Sequence, residues 1–123
     1  MNLFKRFFAR QEPEHAFNPE DEQAVILNFD MSQELGSTDE VERVHAFADR
    51  LDDAAQAAGV GDLDGDEFGD DECTLYLYCS DAGKLLDVLR PIIAESSFKP
   101  MRVTQRFGSV HDQNAETKKM VIT

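Results

Sequence analysis

A chain of 123 residues with a formal charge of -13 is the size of one domain, long enough to bury roughly two thirds of its unfolded surface and fold unaided. Phosphate backbones would repel such a charge balance, so no nucleic-acid partner is expected, and basic proteins or cations are the natural company. No apolar run is long enough for a signal-peptide core or a membrane span, which points to a cytoplasmic protein without stable membrane insertion.

The charge is unevenly spread. Residues 11–90 carry 22 acids against 4 bases, whereas 1–10 carry Lys5, Arg6 and Arg10 and 101–123 hold 4 bases against 2 acids. At the N-terminus Leu3, Phe4, Phe7 and Phe8 recur at helical spacing with bases between them. That pattern suits a frayed tail, a tail packed on its own acidic domain, or a short amphipathic stretch lying on an anionic surface or a partner. Gln11 to Glu22, with two prolines and five acids, reads as a solvated linker. The expected organisation is a tail and linker over 1–22 and a single domain over 23–123.

The organised part starts at Gln23. Val25, Leu27, Phe29 and Met31 alternate with Ile26, Asn28 and Asp30, predicting a strand with one apolar face. Ser37-Thr38-Asp39-Glu40 has capping-box spacing. Val41, Val44, Ala48, Leu51, Ala55 and Ala58 then repeat at three and four until Gly59 stops the helix. Asp39, Glu42, Asp49, Asp52 and Asp53 make its outer face acidic, relieved by Arg43 and Arg50.

Next comes GDLDGDEFGDDE, in which seven of twelve residues are carboxylates: Asp62, Asp64, Asp66, Glu67, Asp70, Asp71 and Glu72. So many like charges persist only where water, a cation or a basic partner compensates them. The stretch reads as an acidic loop that can itself pair as a strand, with turns at Asp64-Gly65 and Gly69-Asp70. Cys73 to Cys79 follows as a strand with Cys73, Leu75, Leu77 and Cys79 on one face and Thr74, Tyr76 and Tyr78 on the other. Six residues of strand span roughly 20 Å, too far for a disulfide, so two buried reduced thiols are expected.

Ser80 or Asp81 caps a second helix from Ala82 to about Glu95, with Leu85, Val88, Leu89 and Ile92 inward. Pro91 removes a backbone donor there and should kink or shorten the helix. Met101, Val103, Gln105 and Phe107 alternate with Arg102, Thr104 and Arg106 in a further strand, and Lys118 to Thr123 closes as a short one. Strands separated by two helices in this order predict an α+β fold. The expected form is a ferredoxin-like plait, two helices on one face of a mainly antiparallel sheet, with an extra C-terminal strand.

Over residues 59–108 the chain resembles a group of small uncharacterised bacterial domains with a DG-x-E-x-G segment, a strand, an Asp-led helix start and a later strand ending in Arg-aromatic-Gly. The matching residues are Asp64, Gly65, Glu67, Gly69, Asp81, Arg106, Phe107 and Gly108. The resemblance implies no catalytic residues. In size and charge the chain is similar to the immunity proteins of bacterial toxin systems.

Asp62, Asp64 and Asp66 have the alternation that opens a calcium loop. Counting from Asp62, however, Glu67 falls where the sharp-turn Gly belongs and Cys73 where the bidentate Glu belongs; counting from Asp64, Phe68 takes a ligand position. His15, His45 and His111 sit in separate elements, so no zinc site is expected either, and neither a metal nor a cofactor is assigned. His45 and Asp49, four apart on a helix, read as a surface ion pair and not as a proton-transfer couple. Gly59, Gly61 and Gly65 lie among acids that would repel phosphate. No enzyme is expected.

The face opposite the helices should carry Ile26, Thr74, Tyr76, Tyr78, Arg102, Thr104 and Arg106, an aromatic and basic mixture that interfaces favour and that can also pair in a homodimer. The sequence thus reads as a non-catalytic, acidic interaction protein that binds a basic protein partner, as an immunity protein blocks a bacterial toxin. The expected contact set is Asp62, Asp64, Asp66, Glu67, Asp70 and Asp71, with Tyr76 and Tyr78. The alternative is a regulatory domain responding to a small molecule or a cation.

Overall fold

The computed structural model describes residues 23–31, 38–69, 71–96, 99–109 and 111–122. The N-terminal tail and linker, Ser37 of the expected capping box and Asp70 lie outside them. The elements run β1 (Gln23–Asp30), α1 (Thr38–Ala58), β2 (Asp62–Gly69), β3 (Glu72–Cys79), α2 (Ala82–Glu95), β4 (Arg102–Arg106) and β5 (Thr117–Met120). The strands form one antiparallel sheet in the order β2-β3-β1-β4-β5. This is the α+β ferredoxin-like plait with β5 added beyond β4.

One face of the sheet makes the core. Val25, Leu27, Phe29, Leu75, Leu77 and Val103 meet Val44, Ala48, Leu51, Leu85, Leu89 and Ile93 of the helices, all fully buried. Each of these side chains except the small Ala48 contributes about 1.5–3 kcal/mol of apolar transfer, which makes this layer the main source of stability. The ring of Phe47 closes edge-on against Phe29, centroids 5.9 Å apart. Cys73 and Cys79 belong to the same layer as buried thiols that form no disulfide.

Helix α1 stops where expected. Gly59 takes φ +69, and its amide and that of Val60 bond back to the carbonyls of Gln56 and Ala55, a left-handed termination that glycine allows without a Cβ penalty. Helix α2 begins on Asp81, whose carboxylate accepts from the amides of Gly83 and Lys84 at 2.9 and 3.1 Å. Two glutamines then tie its first turn to the sheet: Gln23 Oε1 accepts from the Ala82 amide at 2.8 Å and Gln105 Nε2 donates to the Ala82 carbonyl at 3.1 Å. Replacing Asp81 by Ala removes a cap and should cost about 1 kcal/mol, read by urea titration of the far-ultraviolet signal; an unchanged midpoint would show that the glutamine ties alone hold the helix start.

Pro91 does not shorten α2, which continues to Glu95. Pro91 and Asp87, whose carbonyl loses its usual donor, both lie on the exposed side, so water can take up the freed acceptor. The last strand is Thr117–Met120 and not Lys118 to Thr123. Ile122 instead turns into the core, 5% exposed. No helix among the described residues is long and apolar enough to cross a membrane.

Candidate functional site

The acidic segment is not a loop. It is the edge strand β2, paired antiparallel with β3, and before β3 Asp71 takes φ +61, a conformation Asp tolerates better than most residues. The register holds a bulge. Leu63 faces Leu77 and Gly65 faces Tyr76, so Asp64 is one residue in excess.

That extra residue decides where the carboxylates go. Side chains alternate along a strand, so Leu63 and Phe68, five apart, could not share a face in a regular β2. The bulge shifts the alternation by one, and both pack against the core. Asp66, two before Phe68, is carried inward with them and is completely buried. Glu67 is left exposed on the opposite face, where it accepts a hydrogen bond of 2.6 Å from the Tyr76 hydroxyl.

Buried Asp66 meets His45. Its Oδ2 lies 3.1 Å from Nε2 of the imidazole, which is itself buried, and the His45 ring stands edge-on to Phe68 with centroids 5.8 Å apart. The expected surface pair of His45 with Asp49 is therefore replaced by a buried pair across two elements. His45 lies four residues after Val41 and three before Ala48, at the margin of the helix's apolar stripe, and α1 runs over the edge strand there. A second clasp follows further along, where Asp52 Oδ1 accepts from the Leu63 amide at 2.9 Å and from Gln56 Nε2 at 2.8 Å. From His45 to Asp52 the helix rises about 10.5 Å. From Asp66 back to Leu63 the strand covers about 10 Å. The two contacts thus fix α1 antiparallel along β2.

The expected contact set is dispersed. Asp62 is exposed at the start of β2 and Asp71 at the far turn; Asp64 is half-buried in the bulge; Glu67 points to the open face; Asp66 is enclosed and cannot touch a partner in this fold. Glu72 is half-buried, accepting from Asn28 Nδ2 with Arg102 3.7 Å away. Asp62, Asp64 and Asp66 do not converge, and among the described residues no three His, Cys, Asp or Glu side chains could hold a metal ion together. What α1 and β2 do assemble is an acidic flank. Asp39, Glu42, Asp49 and Asp53 are exposed along the helix, beside the edge strand that carries Asp62 and leads to Asp71.

The face opposite the helices is only partly open. At one end Ala24, Tyr78 and Arg106 are buried, with the Arg106 guanidinium 5.8 Å from the centre of the Tyr78 ring and its Nε donating to the Gly108 carbonyl at 2.9 Å. Tyr78, expected as an exposed contact, is 3% exposed. Tyr76, Thr74, Ile26 and Arg102 remain half-buried. Two signals for the missed pair were present in the sequence: the odd spacing of Leu63 and Phe68 beside Gly65, and the place of His45 in the stripe.

No protein-family model, no curated protein and no solved structure matches this chain.

Proposed function

We propose that the protein is a non-catalytic interaction protein whose acidic flank binds a basic protein partner, in the manner of an immunity protein that covers the basic cleft of a toxin. The observation that carries this reading is the alignment of exposed acids on α1 with the acidic edge strand, held in register by the Asp52 and His45 contacts. A rigid surface of one sign raises encounter rates with a surface of the other sign, by factors that fall as salt rises. The buried acid–base pair supports a non-catalytic role, since His45 and Asp66 are 5% and 0% exposed and offer no reacting atom to a substrate.

The test begins with capture of the partner from the protein's own cells at low salt and its identification by mass spectrometry. Association is then timed for wild type and for a variant with Asp49, Asp53, Asp62 and Asp71 changed to Asn. The variant should associate about tenfold more slowly or worse, with an unchanged melting temperature. An equal rate would refute the acidic flank as the contact. If the partner is a toxin, an equimolar amount of wild type should abolish its activity.

A further inference from the structure

The sheet is electrically polarised from edge to edge. On the face away from the helices β2 carries Glu67 and β5 carries Lys119, both exposed, while Glu72 of β3 and Arg102 of β4 already approach each other within one chain at 3.7 Å. Between them, level with Lys119, the face is made by Ile26 and Tyr76, both half-buried and register partners across β1 and β3, and Asp30 is exposed further along β1. Both helices pack on the other side, and no described helix covers this one, whose Ala24, Tyr78 and Arg106 end is already buried and whose Ile26 to Asp30 end is the more open.

The edges themselves are poor places to associate. β2 is bulged and acidic and has its Leu63 amide already bonded to Asp52, and β5 is four residues long with two lysines. Each is a device that opposes strand addition. Association is left to the face.

We propose that this face is a homodimer interface, in which a second copy packs sheet to sheet about a two-fold axis running along β1. Rotation about that axis exchanges the two halves of the face, so the β4 and β5 side of one copy lies over the β2 and β3 side of the other. Lys119, level with Ile26 and Gly65 across the sheet, then stands over the partner's Gly65 and reaches along β2 to Glu67, two residues on, twice per dimer, while the Ile26 and Tyr76 centre is buried beside the axis. Packed sheets sit about 10 Å apart, a gap that side chains of this length span. A self-complementary patch of this kind is what an isologous interface requires. The proposal is independent of the acidic flank on α1, so either can fail without the other.

Sedimentation equilibrium of Glu67→Lys, Lys119→Glu and their equimolar mixture tests it. Wild type should be dimeric at low salt and dissociate as salt rises. Each reversal places like charges opposite one another and should weaken the dimer at least about tenfold. In a heterodimer of the two variants, the reversed positions meet at one contact with their signs exchanged, and the native Glu67 and Lys119 meet at the other. Opposite charges then face each other at both contacts, so the mixture should recover near wild-type strength. Both side chains are exposed, and unchanged melting temperatures would confirm intact folds. Should a reversal unfold the chain, Glu67→Gln and Lys119→Gln replace it and should each weaken the dimer severalfold. A wild type that stays monomeric, variants that dimerise as well as wild type, or a mixture no stronger than its components would overturn the proposal.

Discussion

Replacing Asp66 by Ala should remove about 3–5 kcal/mol of folding free energy, the usual result when one member of a buried ionisable pair is deleted and the other stays enclosed. The structural ground is that both His45 and Asp66 lie inside the α1–β2 contact, 3.1 Å apart, with the Phe68 ring against the imidazole. His45→Leu should cost a similar amount, because it strips the imidazole from a carboxylate that is completely buried. The double variant His45→Leu with Asp66→Val is the informative one. Apolar groups of comparable volume can replace a buried polar pair with little loss, so the double variant should be more stable than either single one. Urea titrations of the four proteins measure the coupling directly. Strictly additive losses would show that the two residues act separately and that their approach contributes no energy.

The second large effect is expected at Gly61, between the end of α1 and the start of β2. A Cβ there would lie 2.6 Å from the Tyr78 carbonyl oxygen and 3.2 Å from the Cys79 Cβ, on a backbone with φ +157. The Tyr78 oxygen belongs to a paired strand and cannot swing aside as a flexible side chain would. Overpacking and a backbone region nearly closed to other residues add, so Gly61→Ala should cost roughly 2–5 kcal/mol. Gly59→Ala is the internal comparison: φ is +69, but nothing lies within 4 Å of its Cβ, and only the left-handed conformation is penalised, about 1 kcal/mol. Thermal melts should separate the two by several degrees. Equal losses would mean that conformation, not the approach to Tyr78, governs this connection.

The residues that were legible are those whose partners lie nearby in sequence or whose pattern has one period. The alternation of Val25 through Met31 and of Cys73 through Cys79, the stripe from Val41 to Ala55, the Gly59 stop and the Asp81 cap all carry their reason within a few residues. The acidic segment resisted the same reading because its seven carboxylates hide two alternations joined at Asp64. Charge composition alone makes it a solvated loop; the apolar Leu63 and Phe68 make it a strand, and only with a bulge. Pro91 misled for a different reason, since its effect depends on whether water can reach the carbonyl four residues earlier.

Composition and periodicity by themselves determined the α+β plait, the apolar faces of β1, β3 and the helices, and the acidity of the chain's middle, because these follow from local propensity and from which side chains leave water. The tertiary structure alone decided what the charges do. Pairing β2 at the sheet edge, with one residue in excess, turned Asp66 inward to His45 and Glu67 outward to Tyr76. Laying α1 along that strand turned Asp52 into a clasp and the remaining acids into a flank. A carboxylate's role depends on the dielectric and the partners around it, and those are supplied by residues distant in the chain.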